Sequence, residues 1–174
     1  MDLRKQQLKV GKGAAAAAVL SVVFIAGGYY WFPFHLPELP TMGDRLAFTM
    51  RGELFAALIL LAAIGTVGNQ RALSAEAIDG STVLTGSIDI NRRVLQNTLE
   101  QLMLALLSHL CLATFVSMAA IKIIPILITW WIFGRIAFWY GYHQSPLGRA
   151  FGFGATMYPT IAVIFFDVYH VVFS

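Results

Sequence analysis

Arg93, Asn97 and Glu100 stand at i, i+4 and i+7, so on a helix they share one face. A cation, an amide and a carboxylate on one stripe can pair internally or grip a polar ligand. A second set, Arg135, Phe138, Trp139 and Tyr142, repeats the helical spacing, and Arg149 follows seven residues after Tyr142. Arginines take carboxylates bidentately, and Asn97 and Glu100 can bond amides or an ammonium. A further cation such as Arg149 could stabilise a thiolate, since a neighbouring positive charge lowers a thiol pKa. This combination suits a small, anionic, peptide-like ligand. Glu100 opens an apolar run with no further charge until Lys122, and a carboxylate at the edge of hydrocarbon costs roughly 2.5–3.5 kcal/mol unless it finds a partner.

The elements that must hold these groups are membrane helices. Only 12% of the residues are charged, against about 25% in a soluble domain, and the mean hydropathy is +0.71. The 174 residues suffice for one membrane domain and no additional soluble one. The net charge of +3 is small and the basic residues form no stripe, which excludes nucleic acid as a partner. Cys111, the lone cysteine, lies in an apolar run and reads as a small buried hydrophobe.

Five apolar segments approach or reach spanning length. They are 13–34, 53–68 (longer if it extends back through 46–50), 92–119, 121–142 and 151–173. Pro125 is tolerated early in the fourth, and Pro159 is expected to kink the fifth. The first segment follows the basic residues Arg4, Lys5, Lys9 and Lys12, and Ala26-Gly27-Gly28 offers a small-residue cleavage site. Its apolar run continues through Tyr29-Tyr30-Trp31-Phe32, an aromatic belt that favours an uncleaved span. The chain divides into residues 1–45, with the basic N-terminus, this helix and a Pro-rich loop, and the membrane domain 46–174.

Topology follows from the twelve Lys and Arg. With the N-terminus cytoplasmic, that side receives Arg4, Lys5, Lys9, Lys12, Arg71, Arg92, Arg93, Arg135 and Arg149. The other side receives Arg45, Arg51 and Lys122. The bias is positive-inside, and it gathers Arg71, Arg93 and Arg149 at one face. If the third and fourth helices pack as neighbours, Arg93, Asn97, Glu100, Arg135 and Tyr142 converge there.

The run Asn91-Arg92-Arg93-Val94-Leu95-Gln96-Asn97-Thr98-Leu99-Glu100 resembles the signature of the MAPEG family, the membrane proteins of eicosanoid and glutathione metabolism. The stretch Arg135–Tyr142, with Arg149 beyond it, resembles the end of that family's third helix and the start of its fourth. The resemblance covers roughly residues 54–173. It implies an all-α integral membrane protein, a four-helix transmembrane bundle per subunit assembled as a homotrimer, here with one extra N-terminal transmembrane helix. It also implies glutathione as co-substrate, held near the cytoplasmic face between subunits. By position, Arg93, Asn97, Glu100 and Arg135 match glutathione-holding residues, and Arg71 matches a further basic residue. Arg149 matches the thiol-activating arginine, with Tyr142 beside it. The implied reaction is conjugation of the thiolate to a lipophilic electrophile, or reduction of a lipid hydroperoxide, with the substrate entering from the bilayer. The membrane would be a bacterial inner membrane or the endoplasmic reticulum. Departures from the family pattern are Leu95 in place of a histidine, Gln101 and Phe138 in place of tyrosines, and Ile90 in place of an arginine.

Competing readings attach to the same residues. The stripe could be an internal network fixing helix packing, in a non-catalytic lipid-binding or structural member of the fold. Arg149 could be a topology anchor, and Arg135 could snorkel. His109 reads as a packed, hydrogen-bonded histidine. Asp167 and His170 are only two candidate ligands and define no metal site. Gly148 and Gly152 suit close helix packing.

Overall fold

The computed structural model describes residues 2–33, 36–75, 77–78 and 85–173. Five helices follow one another: α1 (Leu3–Trp31), α2 (Met42–Ala72), α3 (Gly86–Phe115), α4 (Ile123–Gln144) and α5 (Ala150–Phe173). Each has at least 22 residues, enough to cross the roughly 30 Å hydrocarbon core. Large apolar side chains point outward at Leu54, Leu58 and Leu61 of α2 and at Phe165 and Val171 of α5. In water that surface would be a liability; in a bilayer it is the lipid face. The chain is an integral, multi-pass membrane protein.

The observed helices are longer than the apolar runs. α1 begins ten residues before Gly13 and carries Arg4, Lys5, Lys9 and Lys12 as a helical extension. Polar residues with good helix propensity continue a helix wherever nothing stops it. α2 starts at Met42 because Thr41 caps it. The Asp44 backbone N–H donates to Thr41 Oγ1 (3.1 Å), while the Thr41 N–H donates to Asp44 Oδ2 (3.0 Å). This reciprocal pair satisfies two orphan donors. The polar stretch between the second and third apolar runs is helical at both ends as well, since α2 runs to Ala72 and α3 starts at Gly86. Gly86 takes the left-handed φ of +63°, which only glycine adopts without strain. Gly80, a turn-forming residue type in the same polar stretch, lies outside the described residues. α5 continues through Pro159.

The helices α2 to α5 form a bundle in which α2 packs on α3 and α4, and α5 packs on α3 and α4. α3 and α4 are neighbours, as the convergence of the two polar stripes requires. α1 lies outside this bundle, against α5 and to a lesser degree α4. Small residues set these approaches. Gly154 of α5 meets Ala17 of α1, and Gly13 of α1 meets Ala150. A Cβ on Gly152 would collide with the Phe138 backbone of α4, and one on Gly148 with the Gly141 carbonyl. The Gly148–Gly152 spacing therefore does serve close helix packing.

The apolar core lies among α2, α3 and α4, around Ala56, Ala105, Leu112, Ile124, Leu127 and Trp131. Within it, His109 Nδ1 lies 2.5 Å from Glu53 Oε1, and both side chains are buried. His109 is thus a packed, hydrogen-bonded histidine. Asp167 of α5 is buried too, and among the described residues neither of its carboxylate oxygens has a hydrogen-bond partner.

Candidate functional site

A cavity of about 820 Å³ opens where α1, α3, α4 and the start of α5 meet, within the ~300–1,000 Å³ usual for small-molecule sites. Helix α3 supplies Arg92, Arg93, Gln96, Asn97 and Glu100, which share one face because the spacing is helical. Helix α4 supplies Phe138 and Tyr142, and the turn after it supplies Pro146, Leu147 and Arg149. Ala150, Phe153 and Tyr158 come from α5, and Val10 and Ala14 from α1. Five of the seven residues matched to the family's site, Arg93, Asn97, Glu100, Tyr142 and Arg149, thus line one cavity.

Arg149 and Tyr142 are in direct contact within it. Arg149 Nη1 donates to the Tyr142 hydroxyl at 2.6 Å, and the guanidinium carbon lies 4.6 Å from the ring centroid. The Arg149 carbonyl accepts from the Phe153 N–H (3.0 Å), which places Arg149 at the N-terminal cap of α5. A cation there works against the helix dipole. Guanidinium and helix terminus both favour an anion in front of them. Because Arg149 occupies an acceptor position on the phenol oxygen, the Tyr142 hydroxyl proton is free to point elsewhere, and such chains strengthen one another.

The α3 stripe does not close on itself. Arg93 Nε donates to Asp89 Oδ2 (2.8 Å), and Arg92 reaches the same carboxylate at 3.3 Å. Arg93 also interacts with Tyr142. Glu100 accepts from Gln96 Nε2 (2.8 Å) and, among the described residues, is in no ion pair. Asn97 Oδ1 accepts from Arg135 Nη1 (3.1 Å). An internal salt bridge between Arg93 and Glu100 is therefore not what this stripe forms.

Arg135 is placed differently from the expectation. It is fully buried, stands behind the stripe and does not line the cavity. Its Nη2 donates to Thr98 Oγ1 (2.9 Å), its guanidinium lies 4.1 Å from the Phe138 ring centroid, and among the described residues its Nε has no hydrogen-bond partner. It is a buried cation among neutral partners, fixing Asn97 and adding positive potential behind the site. Snorkelling is ruled out by its complete burial. Arg71 also stands apart, on the last turn of α2 and outside the cavity lining.

Three features escaped the sequence reading. Asn91, before the stripe, is a buried hub: its Oδ1 accepts from Trp139 Nε1 and His143 Nε2 (both 2.8 Å), and its Nδ2 donates to Gln70 (3.0 Å). Nothing in the local pattern marks it, because its partners come from other helices. Gln101, in the place of a family tyrosine, is buried and bonded to Thr156 of α5. It joins helices and does not face the cavity. The wall contributed by α1 is likewise not legible in sequence, since an apolar span does not show which of its faces meets another helix.

The sequence profile of the MAPEG family matches residues 53–168, about two thirds of the chain. Transmembrane protein 79 of Bos taurus is 25% identical over 166 residues, which is 95% of this chain and 42% of that protein. Its Mus musculus counterpart is 24% identical over the same share. The chain spans less than half the length of these relatives. A match of 166 residues necessarily takes in most of α1, which the family profile leaves out. No solved structure matches.

Proposed function

The chain belongs to the MAPEG family, and from that premise we propose a membrane-bound, glutathione-dependent transferase or peroxidase acting on lipophilic electrophiles or lipid hydroperoxides. One observation carries the reading: the cavity gathers Arg92, Arg93 and Arg149 around Asn97, Glu100 and Tyr142. Glutathione presents two carboxylates, two amides, an ammonium and a thiol, and each has a counterpart among these groups. Arg93 and Arg92 would take carboxylate, Asn97 an amide, and Glu100, which has no ion-pair partner among the described residues, the ammonium.

The thiol would sit at the Tyr142–Arg149 pair. It gives its proton to solvent, and the sulfur anion accepts the Tyr142 hydroxyl proton as a hydrogen bond beside the Arg149 charge. In conjugation the sulfur attacks an electrophilic carbon, a C–S bond forms, and the displaced oxygen or other leaving atom takes a proton from water. In peroxide reduction the sulfur takes the distal oxygen. That leaves a sulfenic acid on glutathione and an alkoxide, which takes a proton from water to become the alcohol; a second glutathione thiol then displaces water from the sulfenic acid to give the disulfide. By the positive-inside bias, the cavity end of the bundle and the N-terminus face the cytoplasm. A homotrimer fits this reading, and Arg71 would then contribute from a neighbouring subunit, since it lies outside the cavity of its own chain.

A second reading, a non-catalytic lipid-binding member, is favoured by Gln101, which turns to Thr156 where a family tyrosine would serve the site. The deciding experiment is an ultraviolet difference titration of the detergent-purified protein with glutathione at neutral pH. A saturable thiolate band is expected. A folded protein that shows none would overturn the enzyme reading in favour of the lipid-binding one.

A further inference from the structure

α1 is a single helix of 29 residues, about 43 Å long at 1.5 Å per residue. Its apolar part, from Gly13 onward, is enough to cross the roughly 30 Å hydrocarbon core, so the part before Gly13 projects past the core by about 15 Å. That projection carries Arg4, Lys5, Lys9 and Lys12, all exposed. Lys5, Lys9 and Lys12 stand at i, i+4 and i+7 and share one face, with Arg4 and Leu8 at its edge. Among the described residues none of these four cations is in an ion pair.

A different face of α1 meets the bundle. Val10 and Ala14 line the polar cavity, Gly13 lies against Ala150, and Ala17 is buried. Further along, the same side of α1 walls an apolar groove of about 410 Å³ against α5. At about 100° per residue the bundle face and the basic face are centred roughly 150° apart. Because projection and span are one helix, packing on α5 fixes the rotation of the lysines and the span fixes their height. Lys12, Lys9 and Lys5 stand about 2, 6 and 12 Å along the axis from Gly13. The headgroup layer is roughly 5–8 Å deep on each side, and long ammonium side chains reach back into it.

We propose that this lysine face binds anionic phospholipid headgroups of the leaflet at the cavity end of the bundle. A Lys near an anionic membrane surface favours it by a factor of about five. The span holds these ammonium groups at the depth of lipid phosphates, where an acidic polypeptide would have to displace headgroups to reach them. The face points away from the polar cavity, so the inference does not rest on the proposed function.

The test uses the full chain in phosphatidylcholine nanodiscs, with a trace of phosphatidylglycerol or phosphatidylcholine carrying a photoreactive group on its headgroup. At low salt, the phosphatidylglycerol probe is expected to label residues 3–12 about fivefold more than the phosphatidylcholine probe. Molar salt should remove the difference, since the Debye length falls to about 3 Å. Lys5→Gln with Lys12→Gln should remove most of it. Arg92→Gln with Arg93→Gln takes the same charge from α3 and should leave most of it. Equal labelling by the two probes, an unchanged preference in the lysine variant, or an equal loss in the arginine variant would overturn the proposal. The last result would show that the net charge of this end attracts the lipid, not the α1 face. Capture of poly-glutamate without any headgroup preference would overturn it too and give the face to an acidic polypeptide. Headgroup preference in a protein that binds no glutathione would leave this inference standing and remove the enzyme reading.

Discussion

Removing Arg149 should raise the pKa of bound glutathione without unfolding the bundle. A sulfur bonded to the Tyr142 hydroxyl would lie about 4 Å from the guanidinium, where unit charges interact by ~1 kcal/mol in bulk water and ~4 kcal/mol at an effective dielectric of ~20. Arg149 is exposed, so the lower part of that range applies, about 1–2 kcal/mol, and at about 1.36 kcal/mol per pH unit the thiol pKa should rise by about one unit in Arg149→Ala. The raised pKa means less thiolate at neutral pH, and the difference should shrink in high salt. Tyr142→Phe deletes a hydrogen bond to a charged atom, worth about 1.5–3 kcal/mol, so a rise of about one to two units is expected. Because Arg149 holds the phenol at 2.6 Å, the two losses should not add. The assay is thiolate absorbance against pH for the protein, both single variants and the double variant, with thermal unfolding measured alongside. A thiol titration in folded Arg149→Ala that overlays the parent curve would refute the reasoning. Additive single effects would show that the two side chains act separately.

Three further outcomes concern the scaffold. His109→Leu strands a buried Glu53 carboxylate and should cost about 3–5 kcal/mol, while the double variant Glu53→Leu, His109→Leu recovers most of it; denaturation in detergent would show whether it does. Asn91→Leu removes hydrogen bonds to Gln70, Trp139 and His143, a loss of about 2–4 kcal/mol, visible as a lowered unfolding midpoint. Gly152→Ala should disrupt the α4–α5 contact, because its Cβ meets the Phe138 backbone, whereas Gly65→Ala meets open space and should be neutral or stabilising by up to about 1 kcal/mol; equal effects of the two in a thermal scan would contradict the packing argument.

The helices were legible because hydrocarbon imposes one rule on every residue of a span, so a long apolar run suffices to reveal it. Their ends were less legible. The Arg4–Lys12 stretch of α1 is helical without being apolar, and the start of α2 depends on the Thr41–Asp44 cap. The α3 stripe was legible because its members lie on one helix and share a period. Arg135 carries the same spacing signal, yet stands behind Asn97. Periodicity tells which residues share a face, but not which face looks into the cavity and which into a neighbour.

The sequence by itself determined that this is a multi-pass membrane protein, that five helices cross, that it resembles the MAPEG family, and that Arg93, Asn97, Glu100, Tyr142 and Arg149 belong together. Those properties are local or periodic, and a single chain displays them. Only the tertiary structure decided that Arg93 pairs with Asp89 and not with Glu100, that Arg149 grips Tyr142, and that α1 walls both the polar cavity and the apolar groove beside it. Competing partners several residues apart on one helix, or on different helices, are chosen by helix rotation and by the close approaches that Gly152 and Gly154 permit. Those are three-dimensional facts that spacing along one chain does not encode.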